Sequence, residues 1–156
     1  MSLFQAFEGF EALPVSQAIR GSVWLFPAVE AVHLLALATL GGAVLIVDLR
    51  LMGTGLVAQP AASVERDARP WFLGALCVML ATGIPLGLSE AVKLYDKQAF
   101  WVKMSALAIA LVFALGVRTR LVARVSPGSP AAWALAITSL SLWLTVALAG
   151  RWIGFS

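Results

Sequence analysis

Four long apolar stretches dominate this chain and limit what it can fold into. A helix needs about 20 residues to cross a hydrocarbon core about 30 Å thick, and each stretch is close to that length. Because lipid offers no hydrogen bonds to the backbone, such stretches are expected to be helical. The sequence predicts an all-α fold, a four-helix transmembrane bundle, with spans at about 22–47, 71–88, 100–117 and 131–149.

Composition supports this prediction and argues for one transmembrane domain over residues 1–156. The chain is 61% hydrophobic and only 12% charged, and its mean hydropathy is +0.93. The spans use most of the residues, which leaves no length for a soluble module. The start of the chain lacks the pattern of a cleaved signal peptide, so we expect the first span to be retained. The net charge of +3 is explained by basic residues that flank the spans, where they contact lipid headgroups and set the topology. We therefore do not expect a nucleic-acid partner.

Phenylalanines recur at intervals of three before the first span, at Phe4, Phe7 and Phe10, and Leu13 continues the series. This pattern predicts a short amphipathic helix lying in the membrane interface. Pro14 is expected to end it.

The two linkers at 53–70 and 118–130 are rich in charge, glycine and proline, so both are expected to be exposed loops on one face of the membrane. Together with Arg50 they hold six arginines, against five basic residues on the other face. The positive-inside rule then places both termini outside, in the periplasm if the membrane is a bacterial inner membrane. Cys77 is the only cysteine and excludes an internal disulfide.

Ionisable residues inside the apolar spans are the strongest functional signal, because an Asp, Lys or Arg at a span centre costs about 2.5–3.5 kcal/mol. Glu30 and His33 lie in the first span three residues apart, which puts both on one helix face. His33 is the only histidine. Lys103 and Arg151 are expected in the same outer layer, where either can pair with Glu30 while His33 faces the bundle axis.

The opposite, inner half of the bundle is expected to hold only hydroxyl side chains that bond to their own helix. These are Thr138, Ser139 and Ser141. Two interpretations of the outer layer remain open. In the first it is structural, with Glu30 and Lys103 as an ion pair and His33 bonded to a backbone carbonyl. In the second it binds a cofactor, a metal or a proton.

Haem and copper are the cofactors that this residue set suggests. A b-type haem needs one axial imidazole, which His33 can supply, with the sixth position empty or filled by Lys103, Met104 or a partner chain. Soft Cu(I) would suit His33 with Met104, Cys77 and Met79, but the last two are about 200° apart on their helix. A di-iron site would need a second Glu-x-x-His motif, which the sequence lacks.

The segment AIRGSVWLFPAVEAVHLLALATLGGAVLIVDLRLMG at 18–53 and the segment FWVKMSALAIALVF from Phe100 carry a family resemblance. The chain resembles a family of small bacterial inner-membrane proteins of uncharacterised function and, more distantly, copper-resistance D membrane domains. The first resemblance implies a four-helix bundle with a shared outer-leaflet site, and the second implies copper handling or haem. The matching positions are Trp24, Pro27, Glu30, His33, Asp48, Arg50, Trp101 and Lys103.

Three functions follow from these features. The first is a redox or cofactor-binding membrane protein in which His33 ligates haem iron or copper, Glu30 orients or balances it, and Lys103 neutralises Glu30 or a bound anion. The second is a small proton or cation transporter or channel subunit that uses Glu30 and His33 as a relay. The third is a structural subunit of a larger membrane complex. A homo-oligomer is expected, because four short helices enclose little volume.

Overall fold

The computed structural model describes residues 3–155 and confirms the four-helix transmembrane bundle. Four helical segments are long and apolar enough to span a membrane, and no strand occurs in this part of the chain. The third span, Gln98–Leu121, consists of α6, a π-helical segment and α7. The elements are α1 (Leu3–Glu11), α2 (Pro14–Gly21), α3 (Leu25–Met52), α4 (Ala61–Ser89), α5 (Ala91–Tyr95), α6 (Gln98–Val112), the π-helical segment (Phe113–Arg118), α7 (Thr119–Leu121) and α8 (Pro130–Ile153).

The second span begins earlier than the sequence pattern predicted. Residues 61–70 were expected to belong to an exposed loop, but α4 starts at Ala61 and Pro70 lies inside it. Proline is tolerated in a membrane helix because neighbouring groups bond to the freed backbone. In the charged run at 65–69, helical periodicity places Arg66, Asp67 and Arg69 on the exposed face of α4. Its inward positions continue the stripe of the apolar part: Val64, Glu65, Ala68, Phe72, Ala75 and Met79.

The third span also extends further than predicted. Arg118 was placed at the start of an exposed linker, but the helix continues through it as far as Leu121. The π-helical segment ends at Arg118, whose side chain is buried. A π-helical turn changes which face of a helix its residues present, and such turns occur frequently at functional sites.

The two remaining loops, 53–60 and 122–129, meet at one end of the bundle, as predicted. The Gly128 N–H donates to the Leu51 carbonyl over 2.8 Å. Gly53 and Gly128 both have positive φ, at 77° and 80°. A Cβ on Gly53 would lie 3.4 Å from the Gly128 Cα. We call this the loop end of the bundle, and the opposite end, which carries α1, α2 and α5, the terminal end.

The N-terminal helix packs across the terminal end. Phe7 makes ring contacts with Tyr95, Phe100 and Trp101, at centroid distances of 5.3, 6.4 and 6.2 Å. The Glu11 carboxylate accepts the Val92 N–H at 2.9 Å and pairs with Arg20 at 2.6 Å. Pro14 stands in the first turn of α2, to which its fixed φ is suited. The predicted interfacial helix is therefore tied to the bundle by aromatic contacts and one carboxylate.

Small side chains occupy many of the positions where the spans cross. In lipid, close backbone approach through such residues is a main source of helix association. Large apolar side chains such as Trp24, Trp71 and Trp152 are exposed, as expected for a surface that faces lipid and headgroups. The buried alanines of the core are Ala36, Ala43, Ala61, Ala68, Ala75, Ala110, Ala114, Ala132 and Ala136.

Candidate functional site

His33 lies in α3 about 12 Å from its first residue, towards the terminal end. Its Nδ1 lies 2.8 Å from the Thr82 hydroxyl of α4. That hydroxyl already donates its proton to the Val78 carbonyl at 2.7 Å, so towards His33 it acts as the acceptor. The imidazole therefore carries its proton on Nδ1, which leaves the lone pair on Nε2 available for a metal or a proton.

Gly83 makes room for the His33 ring. A Cβ at this position would lie 2.9 Å from His33 Cε1 and 3.4 Å from Nδ1, closer than non-bonded carbons normally approach. Because no side chain stands there, the imidazole packs directly on the α4 backbone. The ring is thus fixed by the hydrogen bond to Thr82, by a hydrogen bond to the backbone of Met79 and by this close backbone contact.

Lys103 approaches from the third span. The position of a Cβ on Gly150 would be 3.3 Å from Lys103 Nζ, so the lysine lies along the backbone of α8 at a second glycine. Its charge acts electrostatically on His33. Within residues 3–155, no carboxylate comes within 4 Å of its ammonium group.

The expected pairing of Glu30 with Lys103 or Arg151 does not form in the described part of the chain, so the ion-pair half of the structural interpretation is corrected, whereas its other half agrees with the hydrogen bond between His33 and the Met79 backbone. Glu30 is exposed, although its charge also acts on His33. It lies only about 8 Å from the first residue of α3, so its carboxylate can reach the wet headgroup region. Arg151 instead stacks on Phe155, with 4.4 Å from its guanidinium carbon to the ring centroid.

The described residues do not bring together three or more His, Cys, Asp or Glu side chains that could hold a metal ion. Cys77 is exposed and Met79 is buried, so the two face apart, as their spacing predicted. Met104 is also exposed. A haem needs only one imidazole from the chain, and the free Nε2 of His33 fits that requirement.

A second polar layer, which the sequence interpretation missed, lies near the loop end. Arg118 Nη1 lies 3.5 Å from Asp48 Oδ1 and 3.5 Å from the Ser139 hydroxyl, and Nη2 lies 3.4 Å from Glu65 Oε2. Asp48 is 0% exposed, Arg118 3% and Glu65 8%. The prediction that this half of the bundle holds only Thr138, Ser139 and Ser141 as polar groups was therefore wrong. We call Asp48, Glu65, Arg118 and Ser139 the arginine cluster.

Several atoms of the arginine cluster lack hydrogen-bond partners within residues 3–155. They are Asp48 Oδ2, Arg118 Nε and Glu65 Oε2, whose contact with Arg118 Nη2 is an ion pair without hydrogen-bond geometry. The contacts of the guanidinium are also longer than the 2.7–2.9 Å usual for charge-assisted hydrogen bonds. A cavity of about 10 Å³ adjoins Glu65 and Arg118 and is also lined by Arg69 and Thr119. A cavity of this size holds about one water molecule.

An apolar stretch separates the two layers. His33 and Asp48 are fifteen residues apart on α3, which is about 22 Å along the helix. Leu40 and Val44 lie between them and are buried, and Phe72 packs edge-on against Trp143 at 5.6 Å. The Trp143 indole N–H is buried and has no hydrogen-bond partner among residues 3–155. The layers are therefore two separate sites.

The comparisons with known proteins are consistent with the uncharacterised family to which the sequence was likened. No curated protein and no solved structure matches the chain. One family model matches residues 18–156, a range that contains every residue of both polar layers. The chain belongs to that family, a family of unknown function designated DUF6644.

Proposed function

We propose that this protein is a bacterial inner-membrane protein that binds haem b in a redox role, and that His33 Nε2 would hold the haem iron. The observation that carries the proposal is the bond from His33 Nδ1–H to Thr82, which fixes the tautomer with a free Nε2. Histidines that bind metals commonly donate their other ring N–H in this way. When bound, the haem would supply one-electron chemistry.

Three features of the chain support a ligand at His33. Gly83 leaves the ring in contact with the α4 backbone, which orders it before any ligand binds. Lys103 brings a partly buried positive charge that no described carboxylate pairs with, and it would offset an acidic group of the ligand. Glu30 is close enough to act on His33 and would balance charge at the exposed side.

Copper at the same position agrees with the more distant resemblance to copper-resistance D membrane domains. It would require a second chain to complete the ligand set, since the described residues supply no three-ligand group. A homo-oligomer would provide such a partner and would also cover the apolar surface around the site. Metal analysis of the purified protein distinguishes copper from haem.

The visible absorption spectrum of the purified protein tests the proposal. We expect a haem absorbance band in the wild type and its loss in His33→Ala. Thr39→Ala is the matched control, because Thr39 lies on the same helix, is exposed and bonds only to its own backbone at Leu35. Wild-type protein that contains neither haem nor stoichiometric metal after expression with haem precursor contradicts the proposal.

Proton or cation transport is the second candidate. The observation in its favour is that buried or partly buried ionisable groups lie in two layers near opposite ends of the bundle. The apolar stretch between them requires a rearrangement before a proton can cross. Flux of protons or monovalent cations into liposomes, measured for the wild type and His33→Ala, separates this function from a purely redox role and from that of a structural subunit.

We propose that the loop end faces the cytoplasm and both termini face the periplasm. Five arginines remain near the loop end when the buried Arg118 is set aside, namely Arg50, Arg66, Arg69, Arg120 and Arg124. Four basic residues remain near the terminal end when the partly buried Lys103 is set aside as well, namely Arg20, Lys93, Lys97 and Arg151. The positive-inside rule therefore favours a cytoplasmic loop end. Single cysteines at Ser63 and Ser129, introduced after Cys77→Ser, test the orientation with a membrane-impermeant thiol reagent. Both are expected to react only when cells are opened. Labelling of both in intact cells would reverse the orientation, and labelling from opposite sides would contradict the fold.

A further inference from the structure

We propose that the arginine cluster is a proton-binding site, in which Asp48 and Glu65 together hold one proton at neutral pH beside the guanidinium of Arg118. The site lies about 22 Å from His33 along the bundle. It does not depend on whether His33 binds haem. Its ligand is a single proton from the loop side of the membrane.

The first argument is the charge count. Two carboxylates face one guanidinium, and all three side chains are at least nine-tenths buried. Fully ionised, the cluster would carry a net charge of −1. An uncompensated buried charge is costly, and in practice such a group takes up a proton instead. With one proton the cluster is neutral.

Among the described residues, the other polar groups at the cluster and its cavity leave this count unchanged. From α8 the group that faces it is the neutral hydroxyl of Ser139, which lies 3.5 Å from Arg118 Nη1. Arg69 lines the adjoining cavity, but its side chain is exposed, so water screens it. Thr119 is the remaining polar residue at the cavity wall and is uncharged.

The second argument is the set of unpartnered atoms. Among the described residues, no donor lies in hydrogen-bond geometry with the buried acceptors Asp48 Oδ2 and Glu65 Oε2. A proton on either carboxyl converts one of these acceptors into a donor, so fewer buried acceptors are left without a hydrogen bond. A metal cation is a poorer fit, because the guanidinium lies within 3.5 Å of both carboxylates and would repel it.

The cavity of about 10 Å³ lies against the cluster, where one water molecule could exchange a proton with it. It adjoins Glu65 and Arg118, and its wall includes exposed residues such as Arg69. One water molecule there would bond to the unpartnered Nε of Arg118 or to Glu65. The π-helical segment that ends at Arg118 presents this guanidinium to the cavity.

Infrared spectroscopy of the full chain in lipid nanodiscs tests the proposal. A protonated carboxyl has a C=O stretch that is absent from ionised carboxylates and shifts in D₂O. The wild type at pH 7 is expected to show one such band per chain. Asp48→Asn and Glu65→Gln are each expected to remove it, because the single remaining carboxylate is then neutralised by Arg118.

Asp67→Asn is the matched control, since Asp67 is an exposed carboxylate on the same helix as Glu65, and it should leave the band unchanged. A wild-type spectrum without the band overturns the proposal. A band that persists in either cluster variant also overturns it, because the proton would then lie elsewhere. If one variant does not fold, as judged by circular dichroism, the spectra of the wild type and the other variant still test whether the cluster holds the proton.

Discussion

The two polar layers of the bundle differ in how their charges are matched. In the arginine cluster, a guanidinium from the third span lies between carboxylates from the first and second spans and also approaches a hydroxyl from the fourth. Near the terminal end, His33 bonds to Thr82 and to the backbone of Met79, and the charge of Lys103 has no carboxylate within 4 Å among residues 3–155. The arginine cluster therefore joins all four spans, whereas the layer near the terminal end leaves His33 and Lys103 available to a ligand.

This difference assigns different roles to the layers. A buried charge that touches its counter-charges on several helices fixes how those helices pack, and its removal leaves the counter-charges buried and unpaired. A partly buried base with a fixed tautomer and a free lone pair contributes little to packing but is ready for a ligand. Substitutions at the loop end should therefore alter stability, and substitutions at His33 should alter binding.

Arg118→Gln is expected to have the largest effect. It leaves Asp48 and Glu65 buried without a cation, and breaking a buried pair in this way costs about 3–5 kcal/mol of unfolding free energy. Thermal or denaturant unfolding in detergent measures the loss. Arg120→Gln is the control, because Arg120 is exposed, and it should unfold like the wild type. Equal stability of the two variants would mean that the cluster does not organise the bundle.

Gly83→Ala should have an intermediate effect on stability and a large one on the site. Its Cβ would lie 2.9 Å from the imidazole, so the ring must move, and overpacking of this kind costs about 1–3 kcal/mol. Because Nε2 moves with the ring, the variant should also lose bound haem. Gly74→Ala on the same helix meets nothing within 4 Å, so it brings the same gain in helix propensity without the clash and should lower neither stability nor haem binding. Full haem occupancy in Gly83→Ala would show that the ring position is not required.

Glu30→Gln should have the smallest effect. Because Glu30 is exposed and has no ion-pair partner among the described residues, we expect the unfolding free energy to change by less than about 0.5 kcal/mol. Differential scanning fluorimetry in detergent is sufficient to measure it. A loss of several kcal/mol would instead indicate that Glu30 pairs with Lys103 or Arg151 in the membrane.

The sequence predicted the helical spans because their apolar length is a direct consequence of bilayer thickness. It also indicated that His33 and Lys103 belong to one layer, since both depths follow from counting residues along the helices. It did not predict that Thr82 fixes the tautomer or that Gly83 and Gly150 make room for the two side chains, because these contacts join different helices.

The arginine cluster was missed for a specific reason. Glu65 and Arg118 each lie beside charged or turn-forming residues, and both segments were interpreted as loops, with Pro70 and Arg118 taken as their ends. The positions of Val64, Ala68 and Phe72 repeat at three or four residues and continue into the span, which is a helical signal that Pro70 obscured. The π-helical segment has no comparable sequence signature, so the direction of Arg118 required the structure.

Titration of the cofactor-free protein with haem in nanodiscs tests the central claim most directly. The wild type should bind one haem per chain with a saturating change in visible absorbance, and Arg120→Gln should bind in the same way. His33→Ala should remain folded, with an unfolding free energy close to that of the wild type, and should show no saturable binding. Equal haem binding by His33→Ala and the wild type would contradict the assignment of the terminal-end layer as the ligand site.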